Sequence, residues 1–491
     1  MTTTNERRKS RSDSGASSAF GWSLLNTVAS RFATLGIGIV LARVLGPDQF
    51  GTFAVALVAL MAVLSFNELG VSLAIVRWLG DPAQIAPTVN TISLVSSAIV
   101  CVLAWVGAPT FTALMGNPQA TDVVRLLILS VLINGAVASP AALLQRDFRE
   151  RTRMGIDQVN VWVGALVSLA LALTGMGAMA LAIGRLAGST LSGLLFIKAS
   201  PLPYRFGWSR EHSLPLMKFG LPLAGTSIIV FAVGYADQLT AGAILGATVL
   251  GFYVLAFNLS SWPVSIVSQP LRRVAPAAFA AVQDDPHRMR QSVLALFGVV
   301  GAATVPAFFA IASAARPLVR LVYGEIWLPA AVALSWLVIA ALCRVFSELT
   351  YDYIVVLGRT GVVFLIQVCS LVVLIPALAL GARIGGLAGI AMAQTAVSAL
   401  VVLPLYLWQL RRIGVGIVAV LSRLSLPFVA GIVSGGFAWM MANSLQNPWI
   451  SLPAAGIMAL GLTALLLYLR REDLRSLKSI GELGKDAETA S

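Results

Sequence analysis

Apolar residues follow one another in long runs, and short corners rich in glycine, proline and charge separate them. The runs are continuous and lack the period-two alternation of a membrane barrel strand. A hydrocarbon core about 30 Å thick takes about 20 residues of helix, so the pattern predicts a bundle of spanning helices. Fourteen spans can be drawn, from 19–45 and 49–75 at one end of the chain to 361–381, 384–410, 415–442 and 448–469 at the other. The corner "VLGPDQFGTFAVA", residues 44–56, separates the first two. There Gly46 and Pro47 end one helix, and Asp48 is placed to cap the next.

The corner has a counterpart. A slide of about 200 residues lays Leu45, Gly46, Gly51 and Ala56 on Leu245, Gly246, Gly251 and Ala256, and "FGWSLL" at Phe20 on "FGLPLA" at Phe219. Six spans follow each copy in phase, so both halves run the same way through the membrane. A parallel repeat lets two bundles rock about a central cavity. The expected organisation is a tail at 1–18, a first lobe of helices 1–6 at 19–200, a linker at 201–217, and a second lobe of helices 7–12 at 218–411. Two extra helices at 412–471 and a tail at 472–491 complete it. The two corners are expected to face one another across the outer mouth.

Composition agrees with the pattern: 58% of the 491 residues are apolar and 11% are charged, with mean hydropathy +0.87. Soluble chains carry about 25% charged residues. The expected class is therefore an all-α integral membrane protein, and the run from Ala19 is expected to remain as the first span. The excess of 34 basic over 21 acidic residues is read by position. With the N-terminus in the cytoplasm, 25 of the 34 fall on cytoplasmic segments. Arg43, Arg125, Arg316, Arg320 and Arg383 fall on the outer face, and Arg31, Arg185, Arg344 and Arg423 lie within spans. That bias places both termini in the cytoplasm, and its spread over many segments argues against a nucleic-acid surface.

Enzymatic chemistry has little to stand on. His212 and His287 are far apart in sequence, and Cys101, Cys343 and Cys369 lie inside apolar runs. No metal set, no cofactor motif and no "GxxxxGK[ST]" phosphate loop is expected. Ionisable groups inside the spans are the candidates, because such groups are costly in hydrocarbon and mark pathways or partners. Arg31 lies about 16 Å into span one and Arg185 about 12 Å into span six at 1.5 Å per residue, and Arg344 lies near the middle of span ten. Guanidinium forks suit a pyrophosphate. Glu348 and Asp352 follow Arg344 on one helical face and offer to neutralise it instead; with Asp237 and Glu68 they are the candidates for ion coupling or gating. Asp237, with no basic neighbour one turn away, is the candidate carrier of a proton or sodium ion; static bonding to Tyr235 or Thr240 is its alternative. Glu68 and Arg77 bracket the cytoplasmic end of span two, as anchor or as gate. "QRDFRERTR", Gln145 to Arg153, reads as a topology determinant that could attract anionic headgroups.

The run "GWSLLNTVASRFATLGIGIVLARVLGPDQFGTFAVALVALMAVLSFNELGVSLAIVR", with "LLQRDFRER", "DQLTAGAILGATVLGFYVLAFNL" and "YGEIWLPAAVAL", resembles the polysaccharide-transporter branch of the multidrug, oligosaccharidyl-lipid and polysaccharide exporter superfamily. The resemblance implies two pseudo-symmetric six-helix lobes like those of the drug antiporters, plus two helices. It also implies a flippase of the bacterial inner membrane, moving polyprenyl-pyrophosphate-linked oligosaccharide to the periplasmic leaflet for exopolysaccharide, capsule or O-antigen synthesis. Partners implied are membrane lipids and the polysaccharide polymerase and export machinery. The rival readings are an ion-coupled drug or cation antiporter of the same fold, a membrane-embedded glycan polymerase or ligase, and a scaffold for an assembly complex. A polymerase or ligase would be expected to present a long outer loop, and the longest here are "GAPTFTALMGNPQA" and "SAARPLVRLVYGEIW".

Overall fold

A computed structural model describes residues 36–65, 71–280, 285–445 and 447–475, and these form helices and turns without a strand. In chain order the helices are α1 (Gly36–Ser65), α2 (Ser72–Arg77), α3 (Pro82–Leu114), α4 (Thr121–Arg146), α5 (Glu150–Leu173), α6 (Ala178–Ala199), α7 (Arg210–Leu245) and α8 (Ala247–Ala280). There follow α9 (Pro286–Ser313), α10 (Ala315–Tyr323), α11 (Pro329–Val356), α12 (Thr360–Val397), α13 (Leu403–Arg412), α14 (Ile417–Ser444) and α15 (Pro448–Leu469). Twelve stretches among the described residues are long and apolar enough to cross a membrane. The sequence leads one to expect fourteen, and the difference lies at two glycines. Gly46 (φ 71°) sits inside the stretch Gly36–Ser65, which holds the described parts of the first two expected spans, and Gly386 (φ 56°) inside Thr360–Arg412, which holds two more. At the second turn the chain doubles back so closely that a Cβ on Gly381 or Gly389 would strike the backbone of the other. The segment "SAARPLVRLVYGEIW" is not an open loop: it folds into α10 and a 3₁₀ turn at Glu325–Trp327.

The chain divides into two compact units, Met1–Gly46 with Phe66–Val106 and Asp122–Ala224, and Pro47–Ser65 with Gly107–Thr121 and Gly225–Ser491. In the first, α5 and α6 pack through small residues: Gly184 lies against Gly164 and Ser168, and Gly188 against Asn160. Apolar bundles associate through such close backbone approach, because hydrocarbon offers no hydrophobic drive between helices. The end of α2 is finished by a side chain. Arg146 donates Nη1 to the Ile75 and Trp78 carbonyls at 2.7 and 2.5 Å, and Nη2 to Gly80 at 3.1 Å. It thereby satisfies carbonyls that a helix terminus leaves orphaned. Residues 205–209 are laced onto the start of α3, with Asn90 donating to the Arg205 carbonyl at 2.9 Å and Thr91 to the Gly207 carbonyl at 2.8 Å.

In the second unit the two corners meet. Gly51 approaches Ala247 so closely that a Cβ would lie 2.7 Å from the Ala247 carbonyl carbon, and a Cβ on Gly251 would lie 2.9 Å from the Pro47 oxygen. Residues 47 and 247, and 51 and 251, are each 200 apart, so the contact is reciprocal, as across a two-fold axis. The corners are thus in direct contact. Asp48 departs from its expected role as a helix cap: its Oδ1 accepts from the Thr248 hydroxyl at 2.6 Å. Trp327, fully buried, receives Phe50 and Phe252 edge-on at 5.5 and 5.7 Å.

α9, α14 and α15 form a second cluster in this unit, with Ala310, Ala314, Ala438, Ala455 and Ala459 at its core. Pro427 lies inside α14 and has no N–H to give the Arg423 carbonyl four residues back. The Arg470 guanidinium donates to that carbonyl instead. The same guanidinium sits over Gly298 of α9, where any side chain would collide with it.

Candidate functional site

A cavity of about 450 Å³ lies within the second unit, walled by α7, α8, α11, α12 and α13. Its lining follows helical periodicity. α7 contributes Val230, Val233, Gly234 and Asp237, and α11 contributes Leu337, Ala341, Arg344, Glu348 and Tyr351. Those are the i, i+3, i+4, i+7 positions of one face. Ser398 and Val402 reach the cavity from a π-helical turn, Ser398–Val402, between α12 and α13. Such a turn interrupts the regular ladder and is frequent at functional sites.

The polar groups of the cavity form two connected sets. Asp237 is buried, and its Oδ2 accepts from the Tyr253 hydroxyl on α8 at 2.8 Å, while Oδ1 accepts from the Gln238 amide at 2.8 Å. Of the two alternative partners, Thr240 donates to the Ala236 carbonyl, and Tyr235 stacks on Phe231. Along α8, Tyr253 stacks on Phe257, and Phe257 lies under the Arg344 guanidinium at 5.8 Å from the ring centroid. Arg344 Nη2 donates to Ser261 Oγ at 3.3 Å, and its Nε is buried without a hydrogen-bond partner. Glu348, one turn along, lines the same cavity, and no ion pair joins it to Arg344 or to any other described residue. Across the cavity, Gln394 Oε1 is buried and unpaired. A buried donor or acceptor without a partner costs about 1–3 kcal/mol, so Arg344 Nε and Gln394 Oε1 are the groups a bound molecule would satisfy.

The structure thus brings Asp237, Arg344 and Glu348 to one cavity. Asp352 is buried on α11 outside the cavity lining, and Tyr351 takes the place on that face. Arg185 stands half-buried on α6, in the other compact unit, where its backbone passes Gly164 of α5. Arg31 and Glu68 lie outside the described residues. Arg77, expected to bracket the end of span two with Glu68, ends α2 and is exposed. Sequence reasoning passed over Tyr253, Phe257, Ser261 and Gln394. The first three recur at i, i+4, i+8 on α8, a spacing that was open to reading; nothing local marks Gln394. No group of three or more metal-ligating side chains occurs among the described residues.

Comparison with known proteins places this architecture. Among solved structures, the chain is similar to the lipid II flippase MurJ in an inward closed conformation, with TM-score 0.74 and 12% identity, over 92% of this chain and 99% of that one. It is also similar to an inward-facing MATE family multidrug resistance transporter of the MOP superfamily, with TM-score 0.61 and 17% identity, over 77% of this chain and 93% of that one. At these identities the likeness is one of fold, an all-helical bundle. Among sequences, the lipopolysaccharide biosynthesis protein WzxC of Escherichia coli K12 is 26% identical over 378 residues, 76% of each chain. The succinoglycan biosynthesis transport protein ExoT of Rhizobium meliloti 1021 is 26% identical over 380 residues, 75% of this chain and 74% of its own. Its apolar helices and bacterial relatives make this a multi-pass bacterial membrane protein. With residues 40–332 matching the family model described as "Polysaccharide biosynthesis protein", well over half of the chain, the protein belongs to that family.

Proposed function

We propose that this protein is a flippase that carries polyprenyl-pyrophosphate-linked oligosaccharide from the cytoplasmic to the periplasmic leaflet of the bacterial inner membrane by alternating access. The observation that carries the reading is a largely apolar cavity bearing a few charged and polar groups, among them an unpaired donor and acceptor, inside the helices of a polysaccharide biosynthesis family member. The names of its relatives, a lipopolysaccharide biosynthesis protein and a succinoglycan transport protein, support a glycan substrate. In this reading the two lobes are residues 19–200 and 218–411, both termini are cytoplasmic by the positive-inside bias, and the polymerase and export machinery receive the product. Arg31 and Arg185 contact the pyrophosphate, Arg344 and Glu348 contact the cargo within the second unit, Asp237 carries the coupling proton or sodium ion, and Glu68 and Asp352 tune the gate. The joined corners at 47–51 and 247–251 are the closed outer end of the transport cycle. The chain acts as a transporter and not as a catalyst.

Deleting the gene tests this reading. Lipid-linked oligosaccharide is expected to accumulate on the cytoplasmic leaflet, and arrival in the periplasm at the normal rate would refute it. Asp237 and Glu348 in one cavity also suit a cation, which favours a drug or cation antiporter as the second reading. Proton-driven efflux of a lipophilic cation from proteoliposomes, with glycan export unaffected by deletion, would select it.

A further inference from the structure

The hydrogen-bonding capacity of the cavity in the second unit is mixed, and that restricts what it can hold. Its unpaired groups are a donor, Arg344 Nε, and two acceptors, Gln394 Oε1 and the Glu348 carboxylate. Pyrophosphate above its last pKa is acceptor-only. It would satisfy Arg344, leave Gln394 Oε1 unpaired, and bring its charge against Glu348 and Asp237 in a medium where like charges repel strongly. A bare cation has the opposite defect, since it would leave Arg344 Nε unpaired and be repelled by its charge. A hydroxyl both donates and accepts. Adjacent hydroxyls on one ring can take the Arg344 donor and return protons to Glu348 and Gln394. The remaining wall suits this chemistry: Ser347, Ser370 and Ser398 supply hydroxyl partners, and the rings of Tyr351 and Tyr406 offer apolar faces to sugar C–H groups. At about 450 Å³ the volume falls in the range of small-molecule sites, roughly 300–1,000 Å³.

We propose that this cavity is a subsite for an uncharged sugar ring of the glycan, with Arg344, Glu348 and Gln394 as its hydrogen-bonding contacts, and that the pyrophosphate is held elsewhere in the chain. The inference rests on the flippase reading for its biological ligand, but its chemistry is tested without transport. The probes are a panel of methyl glycosides of neutral hexoses, together with glucuronate, inorganic pyrophosphate and sodium chloride, added to the full-length protein in nanodiscs. Binding is read by saturation-transfer NMR, with the thermal midpoint of each variant as a folding control.

At least one neutral glycoside is expected to give transfer signals that fall at least fivefold in Glu348→Ala and in Gln394→Ala. Glu348→Gln, which keeps an acceptor and removes the charge, is expected to hold the signal within about twofold, because a neutral hydroxyl does not need the charge. If pyrophosphate is the true occupant, it will displace the glycoside and bind more tightly to Glu348→Gln. If a cation is, sodium will abolish the signal even in an Asp237→Asn background, and Glu348→Gln will lose the cation's effect. Either result overturns the proposal, as does the absence of signal from every neutral glycoside. Failure of the flippase reading looks different: the glycoside binds as described, yet deleting the gene leaves export of the lipid-linked glycan unchanged.

Discussion

At the scale of single residues, two interactions decide how the second unit holds together. Tyr253 is fully buried and its one polar atom is spent on Asp237. Tyr253→Phe is expected to lower stability by about 1 kcal/mol, within the range for hydrogen bonds between helices in a membrane, and to weaken any proton or sodium dependence of transport. Thermal unfolding in detergent measures the first effect, and transport against imposed ion gradients the second. Gly51 and Gly251 are glycines because a backbone passes where their side chains would be. Gly51→Ala is expected to cost about 1–3 kcal/mol as an overpacking change. It should cost more than Gly251→Ala, whose nearest conflict, at 2.9 Å, is milder. An equal and negligible change in both midpoints would mean that the corners separate freely.

At the scale of elements, the proline of α14 gives a sharper test. The Arg423 carbonyl is freed by Pro427 and taken by Arg470, whose side chain is 11% exposed and also pairs with Asp473 at 3.5 Å. Arg470→Ala leaves the carbonyl orphaned, whereas Pro427→Ala returns its helical partner. In a double-mutant cycle the two changes are expected to couple by about 0.5–3 kcal/mol, with the double variant more stable than the sum of the singles. Additivity within error would show that the carbonyl does not need Arg470. Much at this scale was legible beforehand. Each described span follows an apolar run, and each reversal at Gly46, Gly246 and Gly386 falls at a glycine with positive φ. What was not legible is how a helix end or kink is satisfied. Arg146 was read as a topology charge, and only the fold brings it to carbonyls 66 to 71 residues earlier.

At the scale of the whole molecule, the reciprocal corner contact links the repeat to transport. Asp48 and Thr248 are joined at 2.6 Å, so replacing both with cysteine, in a protein whose Cys101, Cys343 and Cys369 are changed to alanine, offers a lock. Oxidation is expected to cross-link the pair and stop glycan export, and reduction to restore it. Export at full rate by the cross-linked protein would show that the corners do not part during transport.

The sequence by itself determined the medium, the class and the repeat. Long apolar runs can end up only in lipid, and residues about 200 apart repeat one pattern whatever the packing. It also marked Asp237, Arg344 and Glu348, because charge inside an apolar run carries a cost that demands a reason. Tertiary structure alone decided which of these groups share a cavity and what each touches. Tyr253 reaches Asp237 across two helices, Gln394 enters from a third, and Tyr351 displaces Asp352 from the cavity face. The reason is geometric: periodicity fixes which residues share one helix face, but where that face points depends on how neighbouring helices cross, and that is set by the small residues and turns that let their backbones meet.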